Sequence, residues 1–402
     1  MESSKNIPYG KQSISESDIQ AVIEVLRSDF LTQGPIVPAF ENAVAEYCHV
    51  RHGVATTNAT AALHLACLAL GLGPGDWLWT SPITFVATAN SALYCGALVD
   101  FVDIDSRTYN ICKEALEEKL LIAKQEGKFP KILIPVHMCG QPCDMKAIHE
   151  LSLQFGFKII EDASHAIGAK YLEEPVGNCH FSDITVFSFH PVKIITTGEG
   201  GMALTNNKEI ANKLRYLRSH GITTNQDEME TYSNNEIWNY QQIHLGFNYR
   251  MTEMQAALGL SQLKKINEFI RIRTQIAKFY DASFLPININ TPWQTEDANS
   301  SFHLYPIQLN SLSGISQKAL YEKLNASGIK VNLHYIPIYR QPFYKKLGFI
   351  EGYCPNAENY FKSSISLPLY ASMDEEQQYR VVKEVKKHCL SKSTETLMAK
   401  AI

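Results

Sequence analysis

The chain has 402 residues, a formal net charge of −4, and 45% hydrophobic and 19% charged residues. This length exceeds what one compact core usually holds, so it predicts two domains. The composition is typical of a soluble globular protein, the slight negative charge argues against nonspecific nucleic-acid binding, and no apolar run approaches the length of a membrane span.

The nine cysteines are scattered along the chain without a C-x-x-C pair. The nearest two, Cys139 and Cys143, have no matching pair of histidines or cysteines that would complete a zinc site. The first residues lack the apolar segment of a signal peptide. We therefore predict reduced thiols, no metal site and a cytoplasmic location.

The first predicted helix begins after Ser15, which has the spacing of a capping box with Asp18. Between about residues 52 and 205, short β-branched runs alternate with helical segments, for example at 53–56, 98–102, 131–136 and 157–160. Near-continuous apolar strands separated by helices predict a mostly parallel sheet that is covered on both faces. Ligands of such sheets bind beyond the carboxyl ends of the strands.

A second part of the chain begins near Thr252, which with Gln255 has the spacing of a capping box. We predict one long connecting helix from there to about residue 284, and we place the domain boundary between 1–251 and 252–402. Beyond Pro286 the pattern predicts a smaller α+β domain with strands at 301–307, 330–335 and 365–367 and helices at 317–326 and 374–388. Ser372 and Glu375 are expected to cap the last helix.

Two residues at strand ends carry the strongest chemical signal. Lys193 follows the apolar run 184–187 and precedes the glycine-rich turn 197–201, and Asp162 ends the apolar run 157–162. Pyridoxal 5'-phosphate requires an amine for its aldehyde and a carboxylate for its pyridinium nitrogen. A solvated loop lysine and a turn-capping aspartate are the ordinary alternatives. The pair therefore predicts a pyridoxal phosphate enzyme that moves amino groups, with Lys193 as general base and acid.

Small residues follow the first strand of the sheet. The N–H groups of Ala59 and Thr60 would cradle a phosphate at a positive helix end, whereas the ordinary alternative is a helix capped by Asn58. Phe85 follows the strand that ends at Thr80 and is expected to stack on the cofactor ring, although a core position is the alternative.

Two further side chains complete the predicted cofactor site. Ser188 is expected to donate to the phosphate. His165 is expected to hold either the Asp162 carboxylate or the phenolic oxygen of the cofactor.

Together these motifs resemble the DegT/DnrJ/EryC1/StrS family of sugar aminotransferases, which are pyridoxal phosphate enzymes of fold type I. The resemblance covers nearly the whole chain. It is carried by the stretches 57–63, 161–166, 188–193, 198–201 and 246–252.

The resemblance implies an aspartate aminotransferase-like α/β fold, with a seven-stranded, mostly parallel sheet in the large domain and a smaller α+β C-terminal domain. It implies that Lys193 bears the cofactor, that Asp162 pairs with its ring nitrogen, and that Thr60 and Ser188 bind its phosphate. Many members stack a different aromatic residue where this chain has Phe85. The motif around Asn248 implies a homodimer in which this side chain reaches the phosphate in the partner subunit.

Four other stretches, 7–14, 30–35, 140–145 and 334–337, resemble members that aminate C4 of a UDP-linked 4-keto-6-deoxy-N-acetyl-hexose in pseudaminic acid synthesis, with L-glutamate as the usual donor. By this resemblance, the nucleotide-sugar side is lined by Tyr9, Thr32, Gln33, His334 and Tyr335.

Three alternatives remain beside this interpretation. The first is amination of another keto sugar, such as UDP-4-keto-arabinose or a dTDP-keto-hexose. The second is a non-catalytic binding protein, which the intact lysine and aspartate disfavour. The third is a nicotinamide dehydrogenase, which is disfavoured because the first strand is not followed by a G-x-G-x-x-G turn. No nucleic-acid or membrane partner is expected.

Overall fold

The computed structural model describes residues 6–230 and 238–390. Helices and strands alternate through its first part. In chain order they are α1 (Glu16–Leu26), α2 (Ile36–Tyr47), β1 (His52–Thr56), α3 (Ala59–Ala69), β2 (Trp77–Thr80), α4 (Val86–Tyr94), β3 (Leu98–Phe101), α5 (Lys113–Glu126), β4 (Pro130–Ile134), α6 (Met145–Phe155), β5 (Lys158–Asp162), β6 (Lys170–Tyr171), β7 (Glu174–Pro175), β8 (Ile184–Ser188), β9 (Gly201–Thr205), α7 (Lys208–Arg218), β10 (Ile222–Thr223) and β11 (Gln241–Gln242).

Seven of these strands form one sheet in the order β1-β9-β8-β5-β4-β2-β3. Within it, β9 is antiparallel to both of its neighbours, and the other six strands share one direction. This confirms the predicted seven-stranded, mostly parallel sheet. The carboxyl ends of six strands and the beginning of β9 therefore meet at one edge.

Helices cover both faces of this sheet. Val54 and Ile160 pack into the apolar cluster that includes residues of α3 and α4, whereas Ala55 and Ile159 pack on the opposite side. Neighbouring residues of a strand point to opposite faces, so each strand is apolar on both sides. This explains the near-continuous apolar runs of the sequence.

The remaining elements are divided between a second apolar core and the clusters that cover the large sheet. In chain order they are α8 (Glu253–Leu263), α9 (Ile266–Phe284), β12 (Ile289–Asn290), β13 (Ala298–Asn299), β14 (Tyr305–Leu309), α10 (Gln317–Ala326), α11 (Pro342–Lys345), α12 (Pro355–Ser363), β15 (Ser364–Leu367) and α13 (Glu375–His388). The second core contains residues of α9, β12, β14, α10, β15 and α13 and also Ile7 near the N-terminus. Tyr344 of α11 and Tyr360 of α12 pack instead into the cluster that covers the large sheet. The domain boundary at residue 252 stays a prediction.

The prediction of one connecting helix is wrong, because two helices, α8 and α9, meet at Lys264 and Lys265. The Lys265 ammonium lies 2.5 Å from the carboxylate of Asp18, which is fully buried on α1. Ser261 and Gln262 also donate to this carboxylate. We attribute the break to this cluster, which turns Lys265 toward α1.

Three predictions about caps and strands need adjustment. The capping boxes at Ser15 and Thr252 are confirmed, but the last helix is capped by Asp374 with Gln377 and not by Ser372 with Glu375. The strand predicted at 301–307 is observed at Tyr305–Leu309. The segment 330–335 forms no strand and makes a single bridge from Asn332 to Ser366.

Among the described helices, none is long and apolar enough to cross a membrane.

Arg273 on α9 binds the segments that precede β14 and follow β15. Its side chain is 2% exposed, and its guanidinium donates to the carbonyl oxygens of Phe302, His303 and Leu369 at 3.3, 3.2 and 3.0 Å. Burial lowers the pKa of Arg273 to about 10, which leaves it charged at neutral pH.

We expect Arg273→Met to lower the free energy of unfolding by about 2–4 kcal/mol, because three buried carbonyl groups lose their donor. Urea denaturation followed by tryptophan fluorescence measures the change. Arg271→Met is the matched control, since Arg271 is exposed on the same helix and should change stability by less than about 0.5 kcal/mol. Equal stability of the two variants would contradict the anchoring role of Arg273.

Candidate active site

A cavity of about 830 Å³ lies at the sheet edge where the parallel strands end. This volume is in the range of sites that hold cofactors and small substrates. Ten of the residues predicted from the sequence line it, namely Tyr9, Ala59, Thr60, Phe85, Asp162, His165, Ser188, Lys193, His334 and Tyr335.

Three other predicted residues lie elsewhere. Thr32, Gln33 and Asn248 are exposed and do not line the cavity of their own chain. The contacts predicted for them with substrate or with a partner subunit stay predictions.

The Asp162 carboxylate at the end of β5 is 4% exposed and firmly held. One oxygen, Oδ2, accepts a hydrogen bond of 2.6 Å from the hydroxyl of Thr88, and Oδ1 accepts one of 3.1 Å from the backbone N–H of Ser164. A buried carboxylate that is hydrogen-bonded on both oxygens keeps a fixed orientation.

The prediction that His165 holds the Asp162 carboxylate is wrong. Its Nε2 atom lies 3.1 Å from the hydroxyl of Tyr335, and its ring packs against His303 with 4.5 Å between centroids. These two contacts direct the imidazole toward Tyr335 and His303 instead. A contact of His165 with the phenolic oxygen of the cofactor stays a prediction.

Glu161, beside Asp162, points to the other face of the sheet. Its carboxylate lies 2.7 Å from Nε2 of His137 and accepts hydrogen bonds from the hydroxyls of Ser182 and Thr185. The N–H of Cys143 donates to Nδ1 of His137, so the ring proton is on Nε2 and faces Glu161. This buried network joins the ends of β4 and β5 and thereby supports the strand that presents Asp162.

Lys193 projects into the cavity from the loop between β8 and β9. The loop is closed by Phe189, whose N–H donates to Gly200 and whose carbonyl accepts from Thr197. Removal of the amine from water lowers the pKa of Lys193 to about 8, an effect that the nearby Asp162 carboxylate partly opposes. A minor but appreciable fraction of this amine is therefore neutral near physiological pH, far more than for an ordinary lysine.

The N-terminus of α3 forms one wall of the cavity. The side chain of Asn58 caps the helix by accepting from the N–H of Ala61. The preceding N–H groups of Ala59 and Thr60 have no earlier helical turn to bond to, and the helix dipole makes this end attractive to an anion. A Cβ at Gly201 would lie 2.5 Å from the carbonyl group of Asn58, so β9 can begin against this turn only with glycine.

Three histidines form much of the opposite wall. Burial and the nearby Lys193 lower the pKa of His334 to about 3 and hold the pKa values of His165 and His303 well below the usual range. All three imidazoles are therefore neutral. The Nδ1 atoms of His165 and His303 have no hydrogen-bond partner within the described residues, so this buried wall offers polar atoms to a ligand.

The donor set fits pyridoxal phosphate. A lowered-pKa amine, a fixed carboxylate and a helix N-terminus face one cavity, as an aldehyde, a ring nitrogen and a phosphate require. The sequence interpretation missed Thr88 and His303. Thr88 had a usable signal, because it lies four residues after Thr84 and therefore on the same side of the predicted helical segment. His303 had none, because the run around it resembled an ordinary strand.

Comparison with known proteins identifies close relatives. The model of the DegT/DnrJ/EryC1/StrS aminotransferase family matches residues 12–386. The chain is 40% identical over 370 residues to UDP-4-amino-4,6-dideoxy-N-acetyl-beta-L-altrosamine transaminase of Campylobacter jejuni, covering 92% of this chain and 93% of the relative.

Two solved structures are similar over the same extent. PseC of Helicobacter pylori, an aminotransferase involved in the biosynthesis of pseudoaminic acid, has a TM-score of 0.86 and 32% identity, covering 95% of this chain and 99% of that one. The PLP-form of Spr1654 of Streptococcus pneumoniae, a putative sugar aminotransferase, has a TM-score of 0.85 and 28% identity, covering 95% and 98%.

The lowered pKa of Lys193 can be tested on the protein without cofactor. We expect acetic anhydride to acetylate Lys193 with a pH dependence whose midpoint is about 8, because the neutral amine is the nucleophile. Mass spectrometry of the peptide that contains Lys193 gives the extent of labelling at each pH, and the exposed Lys318 in the same sample is the comparison. A midpoint of Lys193 near 10, the ordinary value for lysine, would contradict the desolvated environment.

Proposed function

The chain belongs to the DegT/DnrJ/EryC1/StrS aminotransferase family, and we propose that this pyridoxal phosphate-dependent enzyme transfers an amino group from L-glutamate to C4 of a UDP-linked 4-keto-6-deoxy-N-acetyl-hexose. The product would be UDP-4-amino-4,6-dideoxy-N-acetyl-β-L-altrosamine, an intermediate of the pseudaminic acid pathway. The observation that carries the proposal is the amine of Lys193 in the same cavity as the fixed carboxylate of Asp162. The 40% identity to the Campylobacter transaminase supports the choice of sugar. The cytoplasmic location stays a prediction.

Each part of the cofactor has a counterpart among these residues. The N–H groups of Ala59 and Thr60, with the hydroxyl of Ser188, would bind the phosphate, and Asp162 would accept a hydrogen bond from the protonated ring nitrogen. Phe85 borders the cavity and is 59% exposed, which leaves its ring available for stacking. When bound, pyridoxal phosphate supplies an electron sink and stores the amino group between the two half-reactions.

Lys193 would perform the proton transfers. Its amine would take the proton from Cα of the donor and return it to C4' of the cofactor, and the reverse sequence would serve the sugar. A pKa of about 8 suits both directions, because a base and an acid with this pKa are both populated near neutral pH. A fixed Asp162 keeps the ring nitrogen protonated during these steps.

The histidine wall favours a sugar as the amino acceptor. The neutral rings of His165 and His303 each have an Nδ1 atom that is unpartnered among the described residues and can bond to a ligand without adding charge. Hydroxyl and acetamido groups of a sugar need such uncharged partners. Tyr9 lines the same side, where its ring contacts His334 with 5.3 Å between centroids.

We also propose that the active enzyme is a homodimer. Trp238, Tyr240 and Leu245 are 76%, 61% and 82% exposed in the segment before Asn248. An exposed apolar group of this size is typical of an interaction surface. Asn248 itself is exposed outside its own cavity, so its predicted contact with a cofactor phosphate would occur in the partner subunit.

The sugar assignment is tested by two half-reactions measured separately. We expect the visible absorption of the protein-bound cofactor to disappear when L-glutamate is added and to return with UDP-4-keto-6-deoxy-N-acetyl-hexose. A panel with UDP-4-keto-arabinose and dTDP-4-keto-hexose measures the selectivity. We expect kcat/KM to be at least about tenfold higher for UDP-4-keto-6-deoxy-N-acetyl-hexose, because the other sugars leave polar groups of the site without hydrogen-bond partners. Preference for another sugar would contradict the sugar assignment, and indifference to glutamate would contradict the donor.

Shared active sites predict complementation between inactive variants. Lys193→Ala removes the proton-transfer group, and Asn248→Asp places a negative charge beside the phosphate of the partner, so each variant alone should be nearly inactive. A hybrid dimer contains one unaltered site, so an equimolar coexpressed mixture should recover roughly a quarter of the wild-type activity. Initial rates of glutamate-dependent amination measure this recovery. A mixture no more active than the variants alone would contradict a site built from two chains.

A further inference from the structure

Two buried threonines of the α4 segment form a chain of hydroxyl groups that ends at Asp162. Thr88 is fully buried, Thr84 is 3% exposed, and both line the cavity. Their Oγ1 atoms are 2.8 Å apart, and Oγ1 of Thr88 is 2.6 Å from Oδ2 of Asp162. The structure thus places an uninterrupted line of polar atoms behind the carboxylate.

The number of available hydroxyl protons determines which group donates in each of these two hydrogen bonds. An ionised carboxylate only accepts, so the single hydroxyl proton of Thr88 is committed to Asp162. Thr88 can then only accept from Thr84, which therefore donates. Both O–H dipoles point toward the negative charge, and hydrogen bonds in such a chain strengthen one another.

The backbone fixes the position of this chain. Thr88 is in the first turn of α4, where its N–H donates to the carbonyl of Phe85 and its carbonyl accepts from the hydroxyl of Ser91. Because the Thr88 backbone is held in this way, its hydroxyl keeps its position if the Asp162 carboxylate rotates. Such a rotation would therefore break the hydrogen bond between them. With Thr88 on Oδ2 and the Ser164 N–H on Oδ1, the remaining lone pairs of Asp162 are left for a donor in the cavity.

We propose that Thr88 and Thr84 are positioning residues that orient the Asp162 carboxylate and maintain its hydrogen bond to the ring nitrogen of the cofactor. This proposal rests on the proposed role of Asp162, but it does not depend on which sugar is aminated. It adds to the site two side chains that touch neither of the transferred groups.

The hydroxyl of Thr88 is removed with little change in shape by Thr88→Val. We expect the half-reaction with L-glutamate to slow by about 10- to 100-fold, the effect of losing a hydrogen bond to a charged group. With pyridoxal phosphate labelled with 15N in the ring, the nitrogen resonance of the holoprotein should move toward that of unprotonated pyridine. A loss of packing alone would not produce this second change.

Two further variants separate the hydroxyl from the packing. Thr88→Ser keeps the donor and should restore the rate to within about threefold of wild type, with an unchanged nitrogen resonance. Thr80→Val is the matched control, because Thr80 is an equally buried threonine whose hydroxyl donates to the carbonyl of Ile134 on the neighbouring strand. A nitrogen resonance altered by Thr80→Val as much as by Thr88→Val would overturn the proposal.

A double-mutant cycle with Asp162→Asn tests whether Thr88 acts through Asp162. In the Asp162→Asn background, Thr88→Val should change the rate by less than about twofold, because residues in one network are not additive. An undiminished effect in that background would overturn the proposal. If Thr88→Val does not fold, Thr84→Val tests the proposal in its place. We expect this variant to slow the half-reaction with L-glutamate by roughly two- to fivefold, because the hydrogen bond of Thr88 to Asp162 is no longer strengthened by Thr84.

The same data distinguish this proposal from its premises. A wild-type nitrogen resonance in Asp162→Asn would overturn the role of Asp162 and the positioning role with it. A resonance shifted in Asp162→Asn but not in Thr88→Val would overturn the positioning role alone. Failure of the wild-type protein to react with glutamate would contradict the proposed donor, and the nitrogen resonance would still decide the role of Thr88.

Discussion

The site depends on keeping the Asp162 carboxylate charged in a place that water barely reaches. Burial of an ionised carboxylate costs several kcal/mol unless hydrogen bonds replace its hydration. Asp162 obtains this replacement from the Thr88 hydroxyl and the Ser164 N–H, which come from different elements of the chain. The same exclusion of water lowers the pKa of Lys193 to about 8. Burial beside one cavity therefore sets the properties of both the base and the charge partner.

The directions of the strands in the parallel sheet account for the position of this cavity. Because six strands share a direction, the segments that follow Thr56, Thr80, Asp162 and Ser188 converge on one edge although they are far apart in the chain. Successive side chains of β5 point to opposite faces of the sheet, and this gives two neighbouring carboxylates different roles. Glu161 points to the far face and is bound by His137, whereas Asp162 points into the cavity. A shift of one residue in the register of β5 would exchange them, so the His137 network also specifies which carboxylate serves the site.

The mostly parallel sheet and most of the residues that line the cavity at its strand ends were predictable from the sequence. Apolar runs with strand spacing located the strands that end near Thr80 and Asp162, and small residues at a helix start located Ala59 and Thr60. The predictions failed where distant contacts decide the local structure. The break at Lys265 follows from its contact with Asp18, and the direction of the His165 ring follows from Tyr335, neither of which is a neighbour in the chain. Segment 330–335 has the composition of a strand but has only one bridging partner, Ser366.

The part of the chain after β13 also contributes to the active site. His303 and His334 come from its loops, and His303 is held in place partly by the guanidinium of Arg273 on its carbonyl oxygen. The cofactor side is built on strand ends and a helix start of the large sheet, whereas the opposite wall is built on these loops. Residues on rigid elements suit the constant chemistry of amino transfer, and residues on loops can differ between substrates without altering it. We therefore expect recognition of the sugar to depend on these loops, and not on the residues that hold the cofactor.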